Sequence, residues 1–355
     1  MRKGVWSVII LAAFCIMSAI ASSPRREETR QALHKLRERA EAGDAKALYD
    51  LAYLYDTGYD TVPVDSALSS ALYRASAEKG YAPARNYLGF RYYNGEGGLR
   101  RDIDSALFWI ERAAESGDAK GAANLGWLLA EGKDVVRDYV HARYWLSKAA
   151  NAGLPSGQSQ LADLYRQGLG GAADTVAAAK LYTEAIDGGF PDAAVPLKEM
   201  MLEKWKALPR DSAMAIGKSY YRRRAPGIGV AIFQTLADAG DAEAQALMGD
   251  AYSRAQGVGY DYEKSLLYFL KAALGGNHPA QFVIGEVLDI FPDVLSEPQA
   301  TELLRQYGED INDCQSSPYW YEKAANGGVT NAESASRLLL DNISPENAGS
   351  TDSWR

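Results

Sequence analysis

Cysteine is nearly absent: the 355 residues hold two, Cys15 and Cys314. A single thiol is left if the N-terminal segment is removed, so no internal disulfide staples the chain. Histidine is almost as scarce, and His34, His141 and His278 stand too far apart in sequence to form a local metal motif. No H-E-x-x-H or G-x-S-x-G pattern occurs. A phosphate loop is lacking too. Gly126 to Lys133 has a gap of five residues and Asp134 where Ser or Thr would stand, and Gly227-Ile228-Gly229 has no third glycine. An excess of positive charge is also missing. The formal net charge is −8, which argues against a general nucleic-acid binder. Nothing here calls for a catalytic residue, a metal or a cofactor.

One long apolar run is present, at the start. Arg2 and Lys3 precede apolar residues from Val5 to about Ile20, and Ala19-Ile20-Ala21 fits small-x-small cleavage. Residues 1–23 therefore read as a signal peptide, with an uncleaved anchor as the competing reading. Phe14 is too bulky before Cys15 for a lipoprotein site. The expectation is export without a stable membrane span after cleavage, to the periplasm or cell envelope, the exterior or the ER lumen according to host.

What the chain has in quantity is repetition. Glycines at 43, 80, 117, 153, 189, 240, 276 and 328 lie mostly 36 or 37 residues apart, with two intervals of 51 and 52. Four residues after each stands a small residue (Ala47, Ala84, Gly121, Gly157, Ala193, Ala244, Ala280, Ala332). Eight after is Leu51, Leu88, Leu125, Leu161, Leu197, Met248 or Ile284, with Ser336 the exception. Nine after is Ala or Gly in most copies, and twelve after is Tyr55, Tyr92, Leu129, Tyr165, Met201, Tyr252, Leu288 or Leu340. These offsets share one helical face.

A second helix reads backward from the next glycine. Fifteen before it stands Asp65, Asp102, Asp138, Asp174, Asp261 or Asp313, failing at Ala225. Aspartate there can cap the helix start. Eleven before is small, and eight before is bulky: Leu72, Trp109, Trp145, Leu181, Ile232, Tyr268, Trp320. The spacing predicts that these bulky side chains, Trp145 included, are core. The closing glycine suits the left-handed end of a helix. Each repeat is then an antiparallel helix pair, and stacked pairs share a continuous core.

The pattern Ala-x-x-x-Leu-Gly-x-x-Tyr, Gly-rich turn, Asp-x-x-x-Ala-x-x-Trp, Ala-Ala-x-x-Gly resembles the Sel-like repeat, a branch of the tetratricopeptide superfamily. The resemblance covers roughly residues 43–341. It implies an all-α fold, an α/α superhelix of about seven helix-turn-helix repeats with terminal capping helices, acting as an adaptor or scaffold. The secreted cysteine-rich branch carries a disulfide in each repeat. This chain departs from it, so a hydrolase of that type is the remotest of the expected functions.

Residues 27–42 read as an N-terminal capping helix with Ala32, Leu36 and Ala40 on one side. Insertions fall near 202–224 and 289–312. The first holds Lys204, Lys206, Arg210, Lys218 and Arg222-Arg223-Arg224, and reads as a solvated helical extension or as a patch for an acidic partner. The second predicts a short helix from Glu297 to Tyr307. Cys314 reads as inert, and residues 342–355 as a flexible tail.

Offsets three, six, ten and thirteen of the first helices point away from the stack. In tetratricopeptide-like superhelices that face lines the concave groove. It holds Lys46, Tyr49, Tyr53 and Asp56, then Pro83, Asn86, Phe90 and Tyr93, then Lys120, Ala123, Trp127 and Ala130. Later copies present Asp163, Arg166, Glu199, Asp250, Glu286 and Asp289. Tyr49, Tyr53, Asn86, Phe90, Tyr93 and Trp127 are the candidate protein-binding residues, aromatic in front of an acidic rear. The expected partner is a protein or peptide, with basic or aromatic-anchored segments; a cell-envelope glycan is the alternative.

Overall fold

The computed structural model describes residues 24–59 and 62–331. The expected signal peptide, the last copy's Ala332, Ser336 and Leu340, and the expected tail lie outside the described residues. Within them the chain is all-α, with no β-strand and a lone bridge between Tyr59 and Val62. The helices are α1 Pro24–Glu41, α2 Ala45–Thr57, α3 Ser66–Glu78, α4 Ala82–Asn94, α5 Ile103–Glu115, α6 Ala119–Glu131, α7 Tyr139–Asn151, α8 Pro155–Gln167 and α9 Thr175–Asp187. There follow α10 Ala194–Lys206, α11 Arg210–Arg222, α12 Pro226–Asp238, α13 Ala242–Arg254, α14 Tyr262–Leu274, α15 His278–Ile290, α16 Pro298–Gln306, α17 Ile311–Cys314 and α18 Ser317–Asn326.

Local chemistry fixes the boundaries of each pair. All eight closing glycines have positive φ, from 75° at Gly153 to 96° at Gly189, a region that strains any residue with a Cβ. Asp65, Asp102, Asp138, Asp174 and Asp261 accept from N–H groups in the first turn of α3, α5, α7, α9 and α14. Each also donates its own N–H to the carbonyl at offset twelve, as Asp102 does to Tyr92 at 2.9 Å and Asp138 to Leu129 at 2.9 Å. One aspartate thus starts the second helix and ends the first. The first helices have caps of their own, Asp44, Asp118, Asp241 and Asn277, which bond the N–H at offset four.

The core follows the expected face at offsets four, eight and nine. Leu88, Leu197 and Ile284 are fully buried, as are Ala47, Ala84 and Ala244. One assignment needs correction. The deep bulky position is seven before the closing glycine, where Tyr73, Ile110, Leu146, Tyr182 and Phe233 are at most 1% exposed. Eight before, Ile232 and Trp320 are buried, but Leu72, Trp109, Trp145, Leu181 and Tyr268 are only partly so. The cause is the small residue at offset nine. A Cβ on Gly89 would lie 2.6 Å from Ile110, and one on Gly126 2.6 Å from Leu146. The side chain that enters this hole belongs to the seven-before residue, and its neighbour, about 100° around the helix, is left at the edge.

The chain divides into two compact units, Met1–Gly157 and Gln158–Arg355. In the first, α1 lies on α2, with Leu33 and Leu36 packed on Ala40, Ala47, Leu48 and Leu51. Ala32, expected on this side, is exposed and Leu33 takes its place. Pairs α2–α3, α4–α5 and α6–α7 then stack.

In the second unit the first insertion differs from a solvated extension. Its α11 is a full helix that buries Ala213, Met214, Gly217, Lys218, Tyr220 and Tyr221. A Cβ on Gly217 would meet Phe233 of α12 at 2.7 Å, so α11 rather than α10 partners α12. The basic residues are largely engaged within the unit. Arg210 bonds Asp241 at 2.6 Å and Glu243 at 2.5 Å, and Lys218 bonds Glu243. Arg223 pairs with Asp187 at 3.5 Å.

The second insertion holds α16, which buries Ala300, Leu303 and Leu304 beside Leu295 and Trp320. Cys314 is buried in the same cluster, and that burial pushes its thiol pKa up. Asp313 is not a cap of α18. It lies inside the one-turn α17, capped by Asp310, and α18 begins at Ser317 with Pro318 in its first turn. Proline needs no N–H partner there, and the start of α18 shifts accordingly.

The hole-and-knob contact makes a quantitative prediction for α6 and α7. Leu146→Ala should cost about 2–5 kcal/mol, and more than Trp145→Ala. Gly126→Ala should cost about 1–3 kcal/mol by overpacking. In the double variant the small side chain removes the clash, so the loss should fall short of the sum by about 1 kcal/mol or more. Chemical denaturation of the four proteins measures this; strict additivity would place Leu146 elsewhere.

Candidate binding face

In the first unit α4 and α6 run side by side and carry most of the expected aromatic face. Successive turns of α4 place Asn86, Phe90 and Tyr93 along one side, and α6 presents Asn124 and Trp127 beside them. The Phe90 and Tyr93 ring centroids are 6.2 Å apart, and Tyr93 meets Trp127 edge-on at 6.0 Å. All three rings are partly exposed. Asn86 is buried, and its Oδ1 accepts from Asn124 Nδ2 at 2.8 Å.

Polar groups hold Tyr93 in place. Its hydroxyl donates to Asp134 Oδ2 at 2.8 Å, and the Arg101 guanidinium lies 5.5 Å from its ring centroid. Arg101 also pairs with Asp134 at 2.6 Å. Arg101, and then Tyr93, hold the Asp134 carboxyl below its ordinary pKa. The bond to that carboxylate in turn pushes the Tyr93 phenol up.

Tyr49 and Tyr53 do not join this cluster. Tyr49 packs edge-on against Tyr73 and Tyr81, each at 5.3 Å. Tyr53 is 51% exposed, and together with Tyr49, Asp50, Leu36 and Leu54 lines a depression beside α1. The expected site therefore resolves into two places, an aromatic cluster on α4 and α6 and a depression against the cap.

Between them lies a group that sequence patterns did not reveal. Arg91 is buried, donates to Ser70 Oγ at 2.5 Å and Ser66 O at 3.1 Å, and pairs with Asp56. Tyr87 donates to the same Asp56 at 2.8 Å. Asp56 stands at offset thirteen and was legible only as a face residue; its partner lies 35 residues on.

The acidic row of the second unit is partly internal. Asp250 is 5% exposed, bonded by Tyr221 Oη at 2.9 Å and Arg254 at 2.5 Å. Asp163 accepts from Tyr182 Oη at 2.6 Å, and Asp289 from Tyr321 Oη at 2.6 Å. Glu199 and Glu286 remain exposed. Asp250 is thus a packing residue rather than open acidic surface.

Among the described residues no three His, Cys, Asp or Glu side chains are placed to hold a metal ion. No helix there is long and apolar enough to cross a membrane. The arrangement offers contact area and fixed polar groups.

Comparison with known proteins finds the Sel1 repeat at residues 45–81, 82–118, 119–154, 155–190, 242–277 and 312–329. Chitin synthase regulatory factor 4 of Schizosaccharomyces pombe is 25% identical over 329 residues, 90% of this chain and 48% of that protein. The ERAD-associated E3 ubiquitin-protein ligase component HRD3 of Candida glabrata is 36% identical over 86 residues, 24% of this chain and 10% of that protein. This chain thus spans about half, or less, of the curated relatives it matches. Among solved structures, a protective antigen of uropathogenic Escherichia coli displaying an SLR fold is 28% identical. That match covers 91% of this chain and 70% of the antigen, with a TM-score of 0.47.

The Tyr93–Asp134 bond can be checked directly. Asp134→Asn removes the carboxylate that lifts the phenol, so Tyr93 should titrate at a lower pH than in the native chain. NMR titration of the assigned tyrosine ring reads this; an unchanged or higher value would show that the bond is not formed in solution.

Proposed function

The chain belongs to the Sel1 repeat family, and on that premise we propose a non-enzymatic scaffold that holds a segment of a protein partner against Phe90, Tyr93 and Trp127. The observation that carries this reading is the convergence of these three rings from two adjacent repeats, partly exposed. Aromatic anchors of this kind dominate protein interfaces because they give large contact area at small entropic cost. The hydrogen bond that Tyr93 donates to Asp134 and the Arg101 guanidinium over its ring hold Tyr93 before any partner arrives, which lowers the cost of binding. The similarity to a protein named as a regulatory factor for chitin synthase supports a role exercised through protein contact. The reading also includes export, supported by the apolar run and cleavage pattern of residues 1–23.

The test is a panel of peptide and glycan arrays probed with the purified chain and with a Phe90→Ala/Trp127→Ala variant. The native chain should select peptides, and the variant should lose about 30-fold or more in affinity, in line with a hot spot of about 2 kcal/mol. Circular dichroism should show the same helical content for both. Selection of glycans instead, or peptide binding untouched by the substitutions, would overturn the reading.

A further inference from the structure

A cavity of about 160 Å³, adjoining the depression beside α1, lies where α1 meets α2 and the turn that follows α2. Its apolar wall is made by Ala32, Leu33, Leu36, Leu54, Tyr59 and Val62; Thr29 and Arg30 are its polar members. Ligand pockets usually measure about 300–1,000 Å³, so a cofactor-sized molecule does not fit. An apolar cavity of about 150 Å³, by contrast, is known to admit a benzene ring. The space matches one aromatic side chain.

Two features point to a polypeptide as the source of that ring. Tyr59 is 59% exposed, so the cavity wall reaches solvent. Leu36 and Leu54 also form part of the depression lined by Tyr49 and Tyr53. Those tyrosines stand at offsets six and ten of their repeat, where Asn86 and Phe90 stand in the next. A segment running on from the aromatic cluster to the preceding repeat would meet Tyr53 with the Leu36–Leu54 wall beside it. We infer that this cavity is a socket for a single aromatic side chain of the bound segment. The inference rests on the protein-binding reading above for its source, and on the cavity itself for its chemistry.

The probe is N-acetyl-phenylalanine amide, a phenyl ring with a peptide group on each side, titrated into the methyl-labelled full chain. The methyl resonances of Leu33, Leu36, Leu54 and Val62 should shift and saturate in the millimolar range. N-acetyl-alanine amide should leave them still. Two filling variants, Val62→Phe and the milder Ala32→Leu, should abolish the shifts; the second serves if the first unfolds. Benzene binding without binding of the amide would reveal a sealed void and overturn the inference, as would shifts that persist in a folded filling variant. The Phe90→Ala/Trp127→Ala chain should keep the amide-induced shifts. The socket and the aromatic cluster thus stand or fall separately.

Discussion

Inside each hairpin the two helices touch at a point where one of them has almost no side chain. A Cβ added to Gly89, Gly126, Gly249 or Gly285 would lie 2.6–2.8 Å from Ile110, Leu146, Phe269 or Tyr321 of the facing helix. Ala52 and Ala162 share core clusters with Tyr73 and Tyr182 in the same way. This close approach sets what else the repeat can be. Helices so near need a connection that ends one and starts the other without slack, and the capping aspartate does both through its side chain and its own N–H. The small residue at offset four repeats the device between repeats: a Cβ on Gly121 would lie 2.8 Å from that of Ala113.

The insertion in the second unit shows that the contact, not the order along the chain, selects the partner. By spacing, Ala193 just before α10 and Leu197 and Met201 within it are the first helix's residues at offsets four, eight and twelve. Yet α11 supplies the hole, Gly217, for the knob Phe233, and Glu243 at the start of the next first helix holds Lys218 of α11. The long connection is tolerated because loop closure costs grow only logarithmically with length. Trp205 of α10 is in turn buried in the apolar cluster around Tyr182 and Tyr220.

Much of this is written in the sequence wherever a position has one physical explanation. The closing glycines are legible because glycine takes a positive φ without the strain of a Cβ, and the aspartates at 65, 102, 138, 174 and 261 because a helix start rewards them. The knob is not legible, because adjacent positions are both large: Leu72-Tyr73, Trp109-Ile110, Trp145-Leu146. Periodicity cannot separate neighbours of equal bulk; the facing glycine decides. Asp313 matched the spacing and was displaced by Pro318. At the candidate site the α4 and α6 rings follow from helical spacing. The separation of Tyr49 and Tyr53 does not, because Tyr49 turns to Tyr73 and Tyr81 and Tyr53 lies in a depression shared with Leu36 of the cap, contacts between different helices. Arg91 with Asp56 was invisible because no local pattern links residues 35 apart.

Apolar stacking alone leaves the register of one repeat on the next weakly defined, since hydrophobic contact is not directional. Polar bonds across the seams supply the direction. Arg91 and Tyr87 of the second repeat meet Asp56 of the first, and Asn124 and Asp134 of the third meet Asn86 and Tyr93 of the second. In the second unit Tyr221 binds Asp250 across the corresponding seam. Such groups are costly to bury and worth keeping where they distinguish one arrangement from its near alternatives. In the first unit these ties flank Phe90, Tyr93 and Trp127 on both α4 and α6. Rings left partly open to water keep a fixed spacing only if the helices beneath them cannot slide. The buried Arg91 and the Asn86–Asn124 bond therefore bear on the proposed binding face although neither group is its exposed surface.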